Sequence, residues 1–591
     1  MTSEGARDSW TLMDCLLAGC EATPDRRLYT VLGDGENETG ACTYAELLIR
    51  VQRVAGVLRD RQLRGKTVLL LIRDQLRFIE TFVGCLWSGA IPVPAALPRP
   101  DQAATTLRAV ATDARVAAAI SSEADLPTYR AMLAEAISKD AWLTAEAFAS
   151  ADPSPSAAVP SRSDIALVQY TSGSTGRPKG VVVTHANLMG NEDTIHHAMK
   201  TSRETVFLAW LPLYHDMGLI GNVLQPIYVS GTCVVMPPVT FLQRPLRWLQ
   251  AITRYRATIS GGPNFAYDLC IDRIPPAARE GLDLSSWDVA FNASEPVRAK
   301  TIDAFCAAYV PHGLRRSSIY PCYGLAESTL FVSGNLHGTG PHVLCVAKSE
   351  LEKGRAAPAS EQGQSVQLVS SGVAGQDTHI VIADPIKSVP VEEGAVGEVW
   401  ASSRGVASGY FGRERESPAE FAAQLAGDTS GKRFLRTGDL GFLKDEQLYI
   451  TGRLKDVIII RGRNYYPQDL EAAAFNSNTA IARGLAAAVV LDEDDAATVL
   501  CLVCELTRSG WRSADYRKVV GDVREAIAIE HGLQVNRVLL IRPGTLPRTS
   551  SGKIRRSTCR EMIRNGGFET LSPAGTPPAA VSRAHDPDPV V

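Results

Sequence analysis

The chain predicts an α/β protein built from more than one unit, on two observations. Segments with apolar residues at helical spacing alternate with short, wholly apolar runs, which is the pattern of helices packed on a sheet. A length of 591 residues exceeds one core at about 150 residues per domain, so roughly four structural units, fused into fewer domains, are expected. Hydrophobic content of 45% and charged content of 21% suit a soluble globular chain. A net charge of -3 argues against an electrostatic grip on nucleic acid, though not against a local basic patch for an acidic partner.

In chain order, MTSEGARDSWTLMDCLL has acids early and no basic flank before its apolar run, so no signal peptide is expected. Residues 44–63 and 74–90 carry helical spacing, and VLLLI at 68–72 between them reads as a buried strand. AIPVPAAL at 90–97 reads as a strand ending in prolines, and the Pro/Ser-rich 150–163 as a surface connection. DIALVQY at 164–170 is a strand, VVVT at 181–184 resumes the apolar pattern, and Thr184 or His185 starts a helix to about Lys200. The 12 cysteines are scattered, and the close pair Cys501 and Cys504 sits in TVLCLVCELT, a β-branched run that reads as a buried strand rather than a metal or redox pair. No His/Cys cluster has zinc spacing and no run reaches the roughly 20 apolar residues of a membrane helix. A reducing cytoplasm is the expected location. From Leu571 to Val591 five prolines and little apolar mass predict a disordered tail.

The strand at 164–170 runs into YTSGSTGRPKG (170–180), which holds three glycines, four Ser/Thr hydroxyls and Lys179. Glycines allow close backbone approach, hydroxyls and amides donate to phosphate oxygens, and a lysine adds a point charge. Pro178 separates Arg177 from Lys179, so the loop is not the common P-loop that opens a helix. A ligand-free surface loop is the competing reading of this stretch alone.

Four further stretches concentrate unusual chemistry: YGLAEST (323–329), RTGDLGF (436–442), ITGRLKDVIIIRGRNYYPQDLE (450–471) and LPRTSSGKIRR (546–556). With the glycine-rich loop, and in this order, they resemble the adenylate-forming superfamily over about residues 10–565. WLPLYHDMGLIGNVLQPIYVSG (210–231), GGPNFAYDLC (261–270), NASEPV (292–297) and RGRNYYPQDLE (461–471) are similar to the fatty acyl-AMP ligases rather than the acyl-CoA synthetases, which typically carry GGENIYP-like text in the last position. The stretch AKSELEKGRAAPASEQGQSVQ, within an insertion at about 347–368, makes the chain longer here than the CoA-forming relatives by on the order of 20 residues. Where related ligases commonly read NGAEPV, this chain has Ala293 and Ser294.

The resemblance implies a large N-terminal domain, about 1–451, of layered α/β subdomains plus a small β-barrel. A hinge at 452–456 with Lys455 as pivot follows, then a small mobile α/β lid at 457–570. It implies ATP and Mg2+ as cofactors. Thr171, Ser172, Gly173, Ser174, Thr175, Gly176 and Lys179 would cradle the β- and γ-phosphates, with Glu327 and Thr175 toward the metal. Ser294, Glu295, Tyr323 and Gly324 would border the adenine, with Tyr323 against its face; Asp439 would accept from the ribose hydroxyls and Arg453 approach ribose or phosphate. Lys553 would be the principal catalytic residue, its ammonium offsetting charge as a carboxylate attacks the α-phosphate. His215 would steer the fatty carboxylate, which is already ionised at neutral pH. The residues alone leave a bland role open for each: core packing for Tyr323, a helix-start acid for Glu327, a turn aspartate for Asp439, a surface ion pair for Arg453, a solvated lysine for Lys553 and a structural histidine for His215. Met217–Val235 reads either as an acyl channel, with Gly218, Gly221 and Gly231 leaving room for a chain, or as ordinary core.

The implied reaction is fatty acid plus ATP giving acyl-adenylate and pyrophosphate, then transfer to the phosphopantetheine thiol of an acyl carrier protein. Arg555, Arg556 and Arg560 are candidates for docking that acidic partner. The rivals are a medium- or long-chain fatty acyl-CoA synthetase, a catalytically silent nucleotide-binding scaffold, and an amino- or aryl-acid adenylating enzyme.

Overall fold

The computed structural model describes residues 9–98, 105–155, 160–171, 178–359, 364–492, 498–549 and 552–571. They divide into two compact units, with the division between Thr451 and Gly452. The proline-rich tail beyond Leu571 lies outside the described residues.

The first unit is organised by sheets. Its largest runs in the order Val373–Ala374, Phe331–Gly334, Ile319–Gly324, Val289–Asn292, Ile259–Gly262, Val206–Ala209, Thr232–Val235, Arg27–Leu32, Glu38–Thr43. The six strands from Ile319–Gly324 to Arg27–Leu32 are parallel, and antiparallel strands flank them on both sides. Helices cover such a sheet on both faces, which is why Val289–Asn292 and Ile259–Gly262 are buried at every position. A second, parallel sheet joins Ile91–Pro94, Thr67–Leu71, Ala118–Ser121 and Trp142–Thr144. A third, antiparallel, joins His379–Ala383, Gly397–Ser402, Leu435–Lys444 and Gln447–Arg453, and stands where the resemblance implies a small barrel.

The predicted helices are present as Tyr44–Asp60 and Gln75–Ser88. Thr43 caps the first in a reciprocal box with Glu46, and Asp74 caps the second through the Arg77 amide. The two pack closely at Gly84, where a Cβ would stand 2.5 Å from Val54. The strand predicted at 90–97 is confined to Ile91–Pro94. The strand Ile165–Thr171 and helix His185–Met199 follow the sequence pattern, with the Thr184 hydroxyl accepting from the Asn187 amide as cap. Behind the parallel strands lies an aromatic core: Trp248 meets Trp287 edge-on at 5.1 Å, and Tyr267 meets Phe305 edge-on at 4.9 Å.

The second unit has a three-stranded sheet in the order Ile481–Asp492, Thr498–Leu506, Arg537–Ile541. Helices Pro467–Ser477, Tyr516–His531 and Arg556–Arg564 pack around it. Cys501 and Cys504 both lie in the central strand and are buried and unbonded to each other. Three positions apart, they face opposite sides of the sheet and belong to two different apolar clusters. No helix among the described residues is long and apolar enough to cross a membrane.

His185, at the first turn of helix His185–Met199, is buried, and burial holds its imidazole down from 6.5 to about 4. The neutral form is therefore the one folded protein tolerates. Its contribution to stability is complete above the unfolded value of 6.5 and is lost as pH falls from there toward about 4. Replacing His185 by Gln should flatten the fall in urea-unfolding stability between pH 7.5 and 5 by roughly 1–2 kcal/mol; an unchanged pH profile would assign that fall to other groups.

Candidate active site

The strand Ile165–Thr171 turns back as the antiparallel strand Lys179–Thr184, with Thr171 opposite Lys179. A strand and not a helix follows Pro178, unlike the common P-loop. The intervening Ser172, Gly173, Ser174, Thr175 and Gly176 lie outside the described residues. The Tyr170 hydroxyl ties the first strand to Asp113 at 2.6 Å. Segment 405–411 runs beside the second strand: Val182 donates to Gly409 O (2.9 Å), Ser408 to Val182 O (3.0 Å) and Phe411 to Gly180 O (2.7 Å).

The same segment holds the Glu327 turn. Ala407 donates to Glu327 O at 2.9 Å, and the Thr329 hydroxyl donates to Gly405 O at 2.6 Å. Thr329 has φ 65 and ψ -58, and the Leu330 amide reaches Ser328 O at 2.7 Å. This is the rare γ-turn with positive φ, strained for a β-branched residue and held by the bonds around it. Gly324 can only be glycine, since a Cβ would lie 1.8 Å from Leu330 O. Tyr410 brings the two pieces together. Its hydroxyl lies 3.1 Å from Glu327 Oε1 and 2.7 Å from Glu420 Oε2, and Lys179 Nζ sits 4.2 Å from its ring centroid. Burial, then the Glu327 carboxylate, push the Tyr410 phenol well above its usual value, so it stays protonated.

Asp439 is buried and accepts a hydrogen bond from the Tyr323 hydroxyl at 2.7 Å. Tyr323 itself packs with Ile382, Val399 and Leu448. The turn carrying Asp439 depends on Glu398. Its Oε2 accepts from Arg436 Nε (2.9 Å), Arg436 Nη2 (2.7 Å) and Trp400 Nε1 (2.9 Å), while Oε1 accepts from the Gly438 amide (3.2 Å).

His215 caps the short helix Asp216–Leu219, and its ring lies 4.9 Å from that of Tyr214. The Ser294 hydroxyl approaches Met217 Sδ at 3.8 Å, and Ser294 has φ 76. That links the segment holding Ser294 and Glu295 to the start of the apolar stretch. The expectation that Gly218, Gly221 and Gly231 leave room for a chain needs correction. Their missing Cβ atoms let this protein's own atoms approach: Pro212 O would stand 2.3 Å from a Cβ at Gly218, Leu330 3.0 Å from one at Gly221, and Thr205 O 3.0 Å from one at Gly231. Ile220, Val223, Leu224 and Ile227 in this stretch are buried core.

In the second unit, Lys553 closes a tight loop: its amide donates to the Thr549 hydroxyl at 3.0 Å and its carbonyl accepts from the Thr549 amide at 2.7 Å. Arg453 O accepts from the Asp456 and Val457 amides, which makes a turn around Lys455. Arg556 spans this turn and the helix Pro467–Ser477, donating to Asp456 Oδ2 (2.9 Å) and doubly to Glu471 (2.7 Å each). Burial works against its charge, but the Glu471 and Asp456 carboxylates outweigh it and hold Arg556 protonated. Arg556 is thus an internal clamp and not a docking residue.

The model of the AMP-binding enzyme family matches residues 17–411. The chain belongs to the AMP-binding enzymes. It is 39% identical to the medium-chain-fatty-acid–[acyl-carrier-protein] ligase JamA of Moorena producens (strain JHB), over 95% of this chain and 96% of that one. It is 34% identical to the long-chain-fatty-acid–AMP ligase FadD32 of Mycolicibacterium smegmatis, over 89% of each. A fatty acyl-adenylate ligase from L. pneumophila, solved with acyl adenylate and pyrophosphate, superposes with a TM-score of 0.72 at 37% identity, over 94% of this chain and 96% of that one. Within the family this chain falls among the fatty acyl-AMP ligases.

In this ligase a hairpin pairs Val343–Ala347 with Ser365–Val369. It is tied to the first unit's own loop by Ala356 donating to Gly394 O (2.7 Å) and Val396 to Gly354 O (2.8 Å). Sequence reading missed three side chains that organise the site: Glu398, Tyr410 and Glu420. Each meets a partner far away in the chain, Glu398 meeting Arg436, Tyr410 meeting Glu327 and Glu420 meeting Lys179, and only Glu398, an acid inside the apolar run GEVWAS (397–402), gave a signal at all. Replacing Glu398 by Ala leaves the Arg436 guanidinium without its carboxylate and the Trp400 indole without its acceptor. It should cost about 3 kcal/mol in denaturant unfolding and weaken AMP binding; a variant with parental stability and AMP affinity would show that the Asp439 turn stands without it.

Proposed function

We propose that this ligase activates a fatty acid with ATP to the acyl-adenylate, releases pyrophosphate, and passes the acyl group to the phosphopantetheine thiol of an acyl carrier protein. One observation carries the reading: near full-length likeness to enzymes named for these two half-reactions, on a chain that joins Lys179 and Glu327 through one tyrosine.

Lys179 and the backbone of its hairpin receive the β- and γ-phosphates. Tyr323 and Asp439 bind the nucleoside, Asp439 through its carboxylate toward the ribose hydroxyls. Glu327 fits Mg2+ by its chemistry: its carboxylate meets the Tyr410 hydroxyl, whose ring carries Lys179, and a hard cation that keeps its waters needs only one or two carboxylates plus the substrate's phosphates. Glu327 would hold such an ion, whose chemistry there would be to offset phosphate charge. The fatty carboxylate needs no base. His215 orients it, and Lys553, carried by the second unit, stabilises the charge that develops at the α-phosphate. Rotation of that unit about Lys455 would bring Lys553 in for the first step and withdraw it for the second. The insertion at 347–368, anchored to the first unit, would restrict the arrangement a CoA thiol requires and so favour the carrier.

Replacing Lys553 by Ala should lower single-turnover acyl-adenylate formation about 100- to 1,000-fold while ATP affinity changes little; an undiminished rate in folded protein would remove Lys553 from the mechanism. Incubation with ATP, Mg2+ and fatty acids of graded length, with CoA or holo-carrier protein and products identified by mass, should give acyl-carrier and no appreciable acyl-CoA. Trimming residues 352–362 should raise acyl-CoA formation, and an unchanged product spectrum would count against the role given to the insertion.

A further inference from the structure

Lys179 Nζ lies 3.3 Å from Glu420 Oε1, an ion pair on the same ammonium that the functional reading assigns to phosphate. Glu420 is a placed residue. It sits on helix Ser417–Phe421, which is stapled to Tyr410 twice: the Tyr410 amide donates to the Ser417 hydroxyl at 2.8 Å, and Phe421 packs edge-on to the Tyr410 ring at 4.9 Å. The Tyr410 hydroxyl then stands between two carboxylates, 2.7 Å from Glu420 and 3.1 Å from Glu327. A phenol has one proton to donate, so it serves one of them at a time, and the shorter contact is to Glu420.

A carboxylate and a triphosphate present the same kind of oxygen to a lysine, and one ammonium cannot be fully paired with both. We propose that Glu420 is the counter-ion that holds Lys179 before nucleotide binds, yields it to the β- and γ-phosphates of ATP, and takes it back as pyrophosphate leaves, with Tyr410 keeping the Glu420 carboxylate in place throughout. The inference rests on the reading of ATP as substrate. Glu420 acts through Lys179, as a positioning residue. It lowers affinity for the polyphosphate and in return eases product release.

Glu420→Gln deletes the charge and keeps an acceptor for Tyr410. By titration calorimetry the variant should bind ATP and pyrophosphate about three- to fivefold more tightly, the scale of a partly exposed ion pair. AMP, which lacks the β- and γ-phosphates, should bind as it does to the parent. Glu420→Asp, which keeps the charge but draws it back from Lys179, should give a smaller gain for the same two ligands. In a Lys179→Met background the change at Glu420 should leave ATP affinity where it was. Unchanged or weaker ATP and pyrophosphate binding in Glu420→Gln, an equal shift for AMP, or a gain that persists without Lys179 would each overturn the proposal. A parent protein that binds neither ATP nor pyrophosphate overturns the functional reading and this inference together, whereas a parent that binds both beside a variant that gains nothing overturns this inference alone.

Discussion

The short segment 405–411 is the constraint on which the site depends. Its main chain extends the hairpin of the phosphate loop and at the same time bonds the carbonyl of Glu327 and the hydroxyl of Thr329. Two pieces of chain about 150 residues apart are thus fixed to one backbone. Tyr410 follows from that placement: it leaves the segment where a single ring reaches Lys179, Glu327 and Glu420. The positive-φ turn at Thr329 is tolerated because bonds on both sides define it, as strained backbone at a ligand site must be.

A second constraint is electrostatic. Asp439 and Glu398 are buried carboxylates in one small antiparallel sheet. Neither could stand there alone, because a buried charge is costly until it is paired and hydrogen-bonded. Glu398 is satisfied by a guanidinium, an indole and a backbone amide, and the Asp439 carboxylate accepts from the Tyr323 phenol. Arg556 repeats the principle in the second unit, where it pairs two carboxylates and ties the turn at Lys455 to the unit's first long helix.

Glycines in the stretch after His215 let Pro212, Leu330 and Thr205 close in, so the apolar segment is first of all packing. Specificity for an acyl chain has to be built on that packing, by the side chains around it.

Local patterning determined a good deal unaided. Period and capping marked the helices Tyr44–Asp60 and His185–Met199; a β-branched run marked the strand of Cys501 and Cys504; the apolar run VVVT marked the strand after the glycine-rich loop. Five motifs in order were enough to indicate the family. Such features depend on residues a few positions apart, where sequence and geometry are nearly the same thing. The tertiary structure alone decided that Tyr410 and Glu420 stand between Lys179 and Glu327, that Glu398 holds the Asp439 turn, and that Arg556 is an internal clamp. Those are pairings between groups 10 to over 200 positions apart, and nothing in a linear pattern records which distant charge a buried group will meet; the energy of burial enforces that choice only once the chain has folded.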